Sequence, residues 1–156
     1  MMLRLDVQYA GNGKDVPQQP AFRRWAREAL RGIRRKRVGL GIRVVNEAES
    51  ASLNSRYRGK RSSTNVLSFS FEAPRGVKSD FLGDLVICAP VVRREAKSRG
   101  IPVSAHWAHM VVHGIMHLRG YDHQHDDEAK HMERKEARVL KRLGFDDPYQ
   151  PSHPAV

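Results

Sequence analysis

Three histidines, His113, His117 and His123, with Gly120 between the last two, constrain this 156-residue chain more than any other feature. Residues four apart on a helix lie one above the other, so His113 and His117 can aim both rings at one point. Gly120 can take the left-handed conformation that ends a helix and turns the chain back, which frees His123 to return as a third ligand. Three nitrogen ligands with one open position is the layout of a catalytic zinc site, because a closed structural site uses a fourth protein ligand. His109 also lies four residues before His113, but it has neither the glycine turn nor the returning histidine behind it. It is read as a core residue or as one that supports a ligand, and His125, His131 and His153 as solvated.

The spacing resembles the long zinc motif of the metzincin proteases, H-E-x-x-H-x-x-G-x-x-H. Residue 114 is Gly, where the protease carries the Glu that serves as general base. The metal cage without the peptidase base points to metal-dependent hydrolysis of something other than a peptide. Zinc is the expected ion, although a three-histidine site also accepts nickel or cobalt.

The net charge of +11 indicates a polyanionic partner, and nucleic acid is the obvious one. Arg23, Arg24, Arg27, Arg31, Arg34, Arg35, Lys36 and Arg37 crowd one segment, and Arg56, Arg58, Lys60 and Arg61 another. Hydrophobic residues make up 40%, ordinary for a globular protein, and no apolar run is long enough to span a bilayer. No signal-peptide pattern opens the chain, and Cys88 stands alone in an apolar run; a cytoplasmic protein without disulfides is expected.

Alternation over Leu3–Tyr9 predicts a strand, and Phe22, Trp25, Ala26, Ala29, Leu30 and Ile33 predict a basic amphipathic helix. Residues 41–45 form a second strand, and Asn46 with Glu49 caps a short helix. Residues 65–71 and 81–87 form two antiparallel strands. Pro90 opens a helix that Gly100 stops, and Ser104 caps the buried helix that carries His113 and His117. Asp126 or Asp127 caps a last helix ending near Leu143. The expected fold is α/β (α+β): a single domain with a mixed, roughly four-stranded sheet covered by about five helices, and the metal site on a central helix and the turn after it. Residues 1–147 form that domain, and 148–156 a flexible tail.

Several segments together resemble the YbeY-type bacterial endoribonucleases. They are His113–His123, Leu53-Asn54-Ser55-Arg56-Tyr57-Arg58, Thr64-Asn65-Val66-Leu67-Ser68-Phe69 and Leu82-Gly83-Asp84-Leu85-Val86-Ile87, within roughly residues 40–149. The resemblance implies a single-strand-directed, metal-dependent endoribonuclease. It implies roles in rRNA processing, notably 16S rRNA 3′-end maturation, and in ribosome quality control, with single-stranded RNA, rRNA precursor and the small ribosomal subunit as partners and no membrane. It further implies Zn2+ at His113, His117 and His123, and a functionally important Arg58. The family pattern has Asp and Pro shortly before the Thr-Asn-Val-Leu-Ser-Phe block; here Arg61-Ser62-Ser63 stand there.

A guanidinium grips phosphate oxygens bidentately and stays charged, which suits Arg58 to a developing phosphorane charge. Lys60, Arg61, Arg34 and Arg35 are further candidates for RNA contact. With Gly at 114, Asp122, beside His123, and Asp84 are the candidates for the proton shuttle. Two rival readings share these features. A metzincin-type zinc protease shares the cage, and a non-catalytic RNA- or ribosome-binding factor with a structural metal shares the charge.

Overall fold

In the computed structural model, residues 1–11, 15–59, 64–122 and 124–150 are described. His123, Lys60 and Arg61 lie outside them. The elements run β1 (Met2–Tyr9), α1 (Gln19–Ala29), β2 (Arg37–Val45), α2 (Glu47–Arg58), β3 (Val66–Ser70), β4 (Phe81–Cys88), α3 (Ala89–Arg99), α4 (Val103–Leu118) and α5 (Asp126–Arg142). The sheet order is β1-β2-β4-β3. β1 and β4 run parallel to β2, and β3 runs antiparallel to β4 at an edge. This is the mixed four-stranded sheet with five helices that the pattern predicts.

Alternation along the strands sorts the side chains between two faces. Leu5, Leu40, Ile42, Leu85 and Ile87 join the main core with Phe22, Leu30, Trp107 and Ile115 from the helices. Val45, Leu67, Val86 and Cys88 build a smaller cluster with Val91 on the opposite face. Burial raises the Cys88 thiol pKa, so the cysteine packs as an inert hydrophobe.

α4 lies against the main face, and its burial is the fact that matters most for the site. From His106 to Leu118 every residue is buried except His113 and His117. Its C-terminus is a Schellman motif: Gly120 N–H donates to the His117 carbonyl at 3.0 Å and Tyr121 N–H to the Met116 carbonyl at 3.0 Å. Gly120 sits at φ 95°, the left-handed turn expected of it.

Two expected caps are different. α4 starts at Val103 after Pro102, with no side-chain cap, so Ser104 lies inside the first turn. α5 follows His125, and Asp126, Asp127 and Glu128 fill its first turn, where their charge opposes the helix dipole rather than bonding as a cap. Asn46 does cap α2, accepting from Glu49 N–H at 2.9 Å. The tail expected from 148 begins with packed residues, since Arg99 Nη2 donates to the Pro148 carbonyl at 2.7 Å and the Tyr149 hydroxyl reaches Glu136 at 2.9 Å. Among the described residues no helix is long and apolar enough to cross a membrane.

Gly114 is where α4 presses closest to the sheet. A Cβ there would stand 2.6 Å and 3.2 Å from the two methyls of buried Leu85 and 3.3 Å from Ser68 Oγ. Gly114→Ala gains about 1 kcal/mol of helix propensity, but overpacking of this kind costs about 1–3 kcal/mol. The expected outcome is a net loss of about 1 kcal/mol and a melting temperature lower by a few degrees. A scanning calorimetry trace at or above the wild-type melting temperature would contradict the close packing.

Candidate active site

His113 and His117 are the two half-buried residues in the otherwise buried run His106–Leu118 of α4. Their Nε2 atoms are 3.2 Å apart, with the rings nearly perpendicular and their centroids 4.6 Å apart. Two nitrogens bound to one tetrahedral zinc, each at 2.0–2.1 Å, lie about 3.3 Å apart. The helix thus already holds two imidazole nitrogens at the separation a shared ion demands, and these side chains could hold one. Both rings line a groove of ≈ 570 Å³ with Tyr57, Arg58 and the edge-strand run Thr64–Ser70.

Behind the groove is a carboxylate that the sequence reading missed. Glu136, on α5, is 0% exposed. Its Oε1 accepts from His113 Nδ1–H at 2.8 Å and lies 3.2 Å from His109 Nε2. Its Oε2 accepts from the Tyr149 hydroxyl at 2.9 Å. With that phenol proton committed to the carboxylate, His109 Nε2, 3.1 Å from the Tyr149 oxygen, is the donor there. Burial alone would raise the Glu136 pKa, but hydrogen bonds from His109 and His113 and their charges outweigh it and bring the carboxyl down to about 2. Burial and the Glu136 charge push the Tyr149 phenol well above its usual range, so it stays a donor.

His109, His113 and Glu136 together form a group whose donor atoms lie within 4.8 Å of one another, close enough to hold a metal ion. The Glu136 oxygens, however, are occupied by Nδ1–H of His113 and by the Tyr149 hydroxyl, with His109 Nε2 3.2 Å from Oε1. A carboxylate receiving the distal N–H of a ligand histidine fixes its tautomer and orientation, and leaves Nε2 as the lone-pair donor. His109 is buried, as expected of a supporting residue. His106, one turn earlier, is buried with Nε2 2.9 Å from Glu95 Oε1, and burial lowers its pKa despite that carboxylate.

The remaining expected residues fall in different places. Arg58, the last residue of α2, lines the groove, is exposed and has no ion-pair partner among the described residues. Asp122 is exposed after Gly120, three residues past the α4 cap Arg119. Asp84 is not brought to the groove. It neighbours Leu85, whose side chain meets Gly114, so strand alternation turns it to the other face beside Asp6 and Gly41. Burial, then the Asp6 charge, raises its pKa there. Arg34 and Arg35 are exposed in the α1–β2 connection and do not line the groove.

Position 114 also bears on the protease-like motif. A side chain there would run into Leu85 and Ser68, and Ser68 Oγ donates to the Gly114 carbonyl at 3.2 Å. The place of the peptidase base is filled by the sheet.

The chain matches the family model of Endoribonuclease YbeY over residues 8–144. It is 53% identical over 153 residues to Endoribonuclease YbeY of Methylococcus capsulatus (strain ATCC 33009 / NCIMB 11132 / Bath), covering 98% of this chain and 99% of that one. The solution structure of TM1509 from Thermotoga maritima shares the fold, with a TM-score of 0.61 at 23% identity, covering 96% of this chain and 99% of that one. With the family match extending over most of its length and a relative more than half identical, this chain belongs to the YbeY endoribonuclease family.

Proposed function

We propose that this protein is a zinc-dependent endoribonuclease that cuts single-stranded RNA, with rRNA precursor on the small ribosomal subunit as its substrate in the cytoplasm. The observation that carries this reading is the groove in which His113, His117 and Arg58 meet along the open edge of β3. His113 and His117 would hold the ion through Nε2, and His123, three residues past Gly120 in the sequence, is the proposed third ligand. A bound zinc ion supplies Lewis acidity and a nucleophile at neutral pH.

The chain's own residues do the rest. Arg58 gives the groove a fixed positive charge, and a planar guanidinium matches two phosphate oxygens as negative charge builds at phosphorus. Glu136 keeps the His113 proton on Nδ1, so that Nε2 faces the groove as a lone pair. Asp122, next to His123, is the proposed proton carrier. Asp84, on the opposite sheet face, is better suited to structure or to contact with a partner than to proton transfer. Lys60, Arg61, Arg34 and Arg35 add to the positive field that gathers RNA.

His113→Ala is expected to abolish cleavage of a single-stranded RNA oligonucleotide while leaving circular dichroism unchanged. Arg58→Glu should lower kcat/KM by about 10²-fold or more, the range seen when one transition-state donor is lost. Cleavage by the His113→Ala protein at the wild-type rate would refute the metal reading. The wild-type kcat/KM should also fall steeply between about 50 and 200 mM salt, since each phosphate contact releases counterions.

A pH prediction follows from Glu136. A carboxyl whose folded pKa is depressed stabilises the fold in full above its unfolded value near 4.5, and loses that contribution as pH falls toward about 2. The gap corresponds to a contribution on the order of 3 kcal/mol. Denaturant unfolding of metal-free protein between pH 6 and 3 should therefore show a steeper acid loss in wild type than in Glu136→Gln. Equal slopes would mean that the carboxylate is not held ionised by its histidines.

A further inference from the structure

The chain does not end with α5. Gly144, at φ 90°, turns it back, and Phe145 packs edge-on against Trp25 with ring centroids 6.4 Å apart. Asp147 Oδ1 accepts from Tyr149 N–H at 2.8 Å, and Arg99 Nη2 donates to the Pro148 carbonyl at 2.7 Å. These contacts lay Tyr149 across α4. Its ring stands edge-on to His109, centroids 5.3 Å apart at 87°. Tyr149 as a whole is 41% exposed, yet its hydroxyl is turned inward to Glu136.

The two oxygens of Glu136 thus have different holders. Oε1 meets His113 Nδ1, and Oε2 meets the Tyr149 hydroxyl. A carboxylate pinned at one oxygen can still pivot about its last torsion, which is broad for Glu. Pinning the second oxygen removes that freedom. Without the phenol, a buried anionic oxygen would lack a donor, and the carboxylate would turn to share its remaining donors.

We propose that Tyr149 is a positioning residue for the metal centre: its hydroxyl locks the Glu136 carboxylate, and through it the His113 ring, in the orientation that directs Nε2 into the groove. The C-terminal segment is then part of the active-site architecture rather than an appendage. This inference rests on the reading of His113 and His117 as metal ligands.

The test measures zinc affinity of the full-length protein by competition with a chromophoric chelator. Tyr149→Phe keeps the ring on His109 and removes only the hydroxyl; it should weaken zinc binding about tenfold, as losing a group that orients a ligand does. Val139→Ala trims the same buried stripe one turn along α5 but removes no hydrogen bond to the carboxylate, and should bind zinc within about twofold of wild type. A second readout is the His113 Nδ1 proton in metal-free protein, followed by NMR: Tyr149→Phe should speed its exchange with water, and Val139→Ala should not.

Wild-type affinity and exchange in Tyr149→Phe, with His113→Ala unable to bind zinc, would overturn this proposal and leave the ligand reading standing. Equal weakening in Val139→Ala would also overturn it, by showing that general loosening is the cause. Zinc binding by His113→Ala as tight as wild type would overturn both.

Discussion

A single buried carboxylate organises the functional half of this molecule. Glu136 is fully enclosed, yet it stays ionised because His113 and Tyr149 direct their protons at its two oxygens and His109 stands 3.2 Å from one of them. A buried charge is tolerated only when it is paired and hydrogen-bonded, and this one meets that condition with partners drawn from α4 and the C-terminal segment. The carboxylate therefore joins α5, α4 and the chain end in one polar cluster. Every geometric feature of the groove that depends on the His113 ring depends on that cluster first.

The frame around it is conventional hydrophobic work. α4 is gripped by the sheet on one side and by α1 and α5 on the others, with Gly114 allowing Leu85 and Ser68 to press against its backbone. That same contact removes the room in which a metzincin protease would place its base. The peptidase-like spacing of histidines and the absence of the glutamate are thus two sides of one packing arrangement. Motif spacing suggests a cage; the neighbouring strands show why position 114 has no room for a side chain.

Much of this was legible in the order of residues, and the reasons are local. His113 and His117 share a face because four residues make about one helical turn, and Gly120 ends the helix because the Schellman turn needs a left-handed residue. Alternation and punctuation located all four strands. Glu136 is hard to single out in the sequence because α5 is dense with charge. Yet it shares a helical stripe with Met132, Val139 and Leu140, all buried, and a carboxylate in that stripe is the signal that pointed inward. Asp84 was offered as a catalytic group from its place in a motif, although its neighbour Leu85 belongs to the core and strand alternation turns the acid away. Tyr149 follows Pro148 in a proline-rich end that reads as unstructured, and only tertiary contacts reveal its use. His123, Lys60 and Arg61 lie outside the described residues.

The enclosure of α4 has a consequence for what the fold owes to the two imidazoles that it carries. Small zinc domains owe their folded state to coordination and unravel when it is withdrawn. Here the two imidazoles ride on a helix already clamped by aliphatic and aromatic packing, so an ion held there, as proposed, would add to a scaffold that packing already builds.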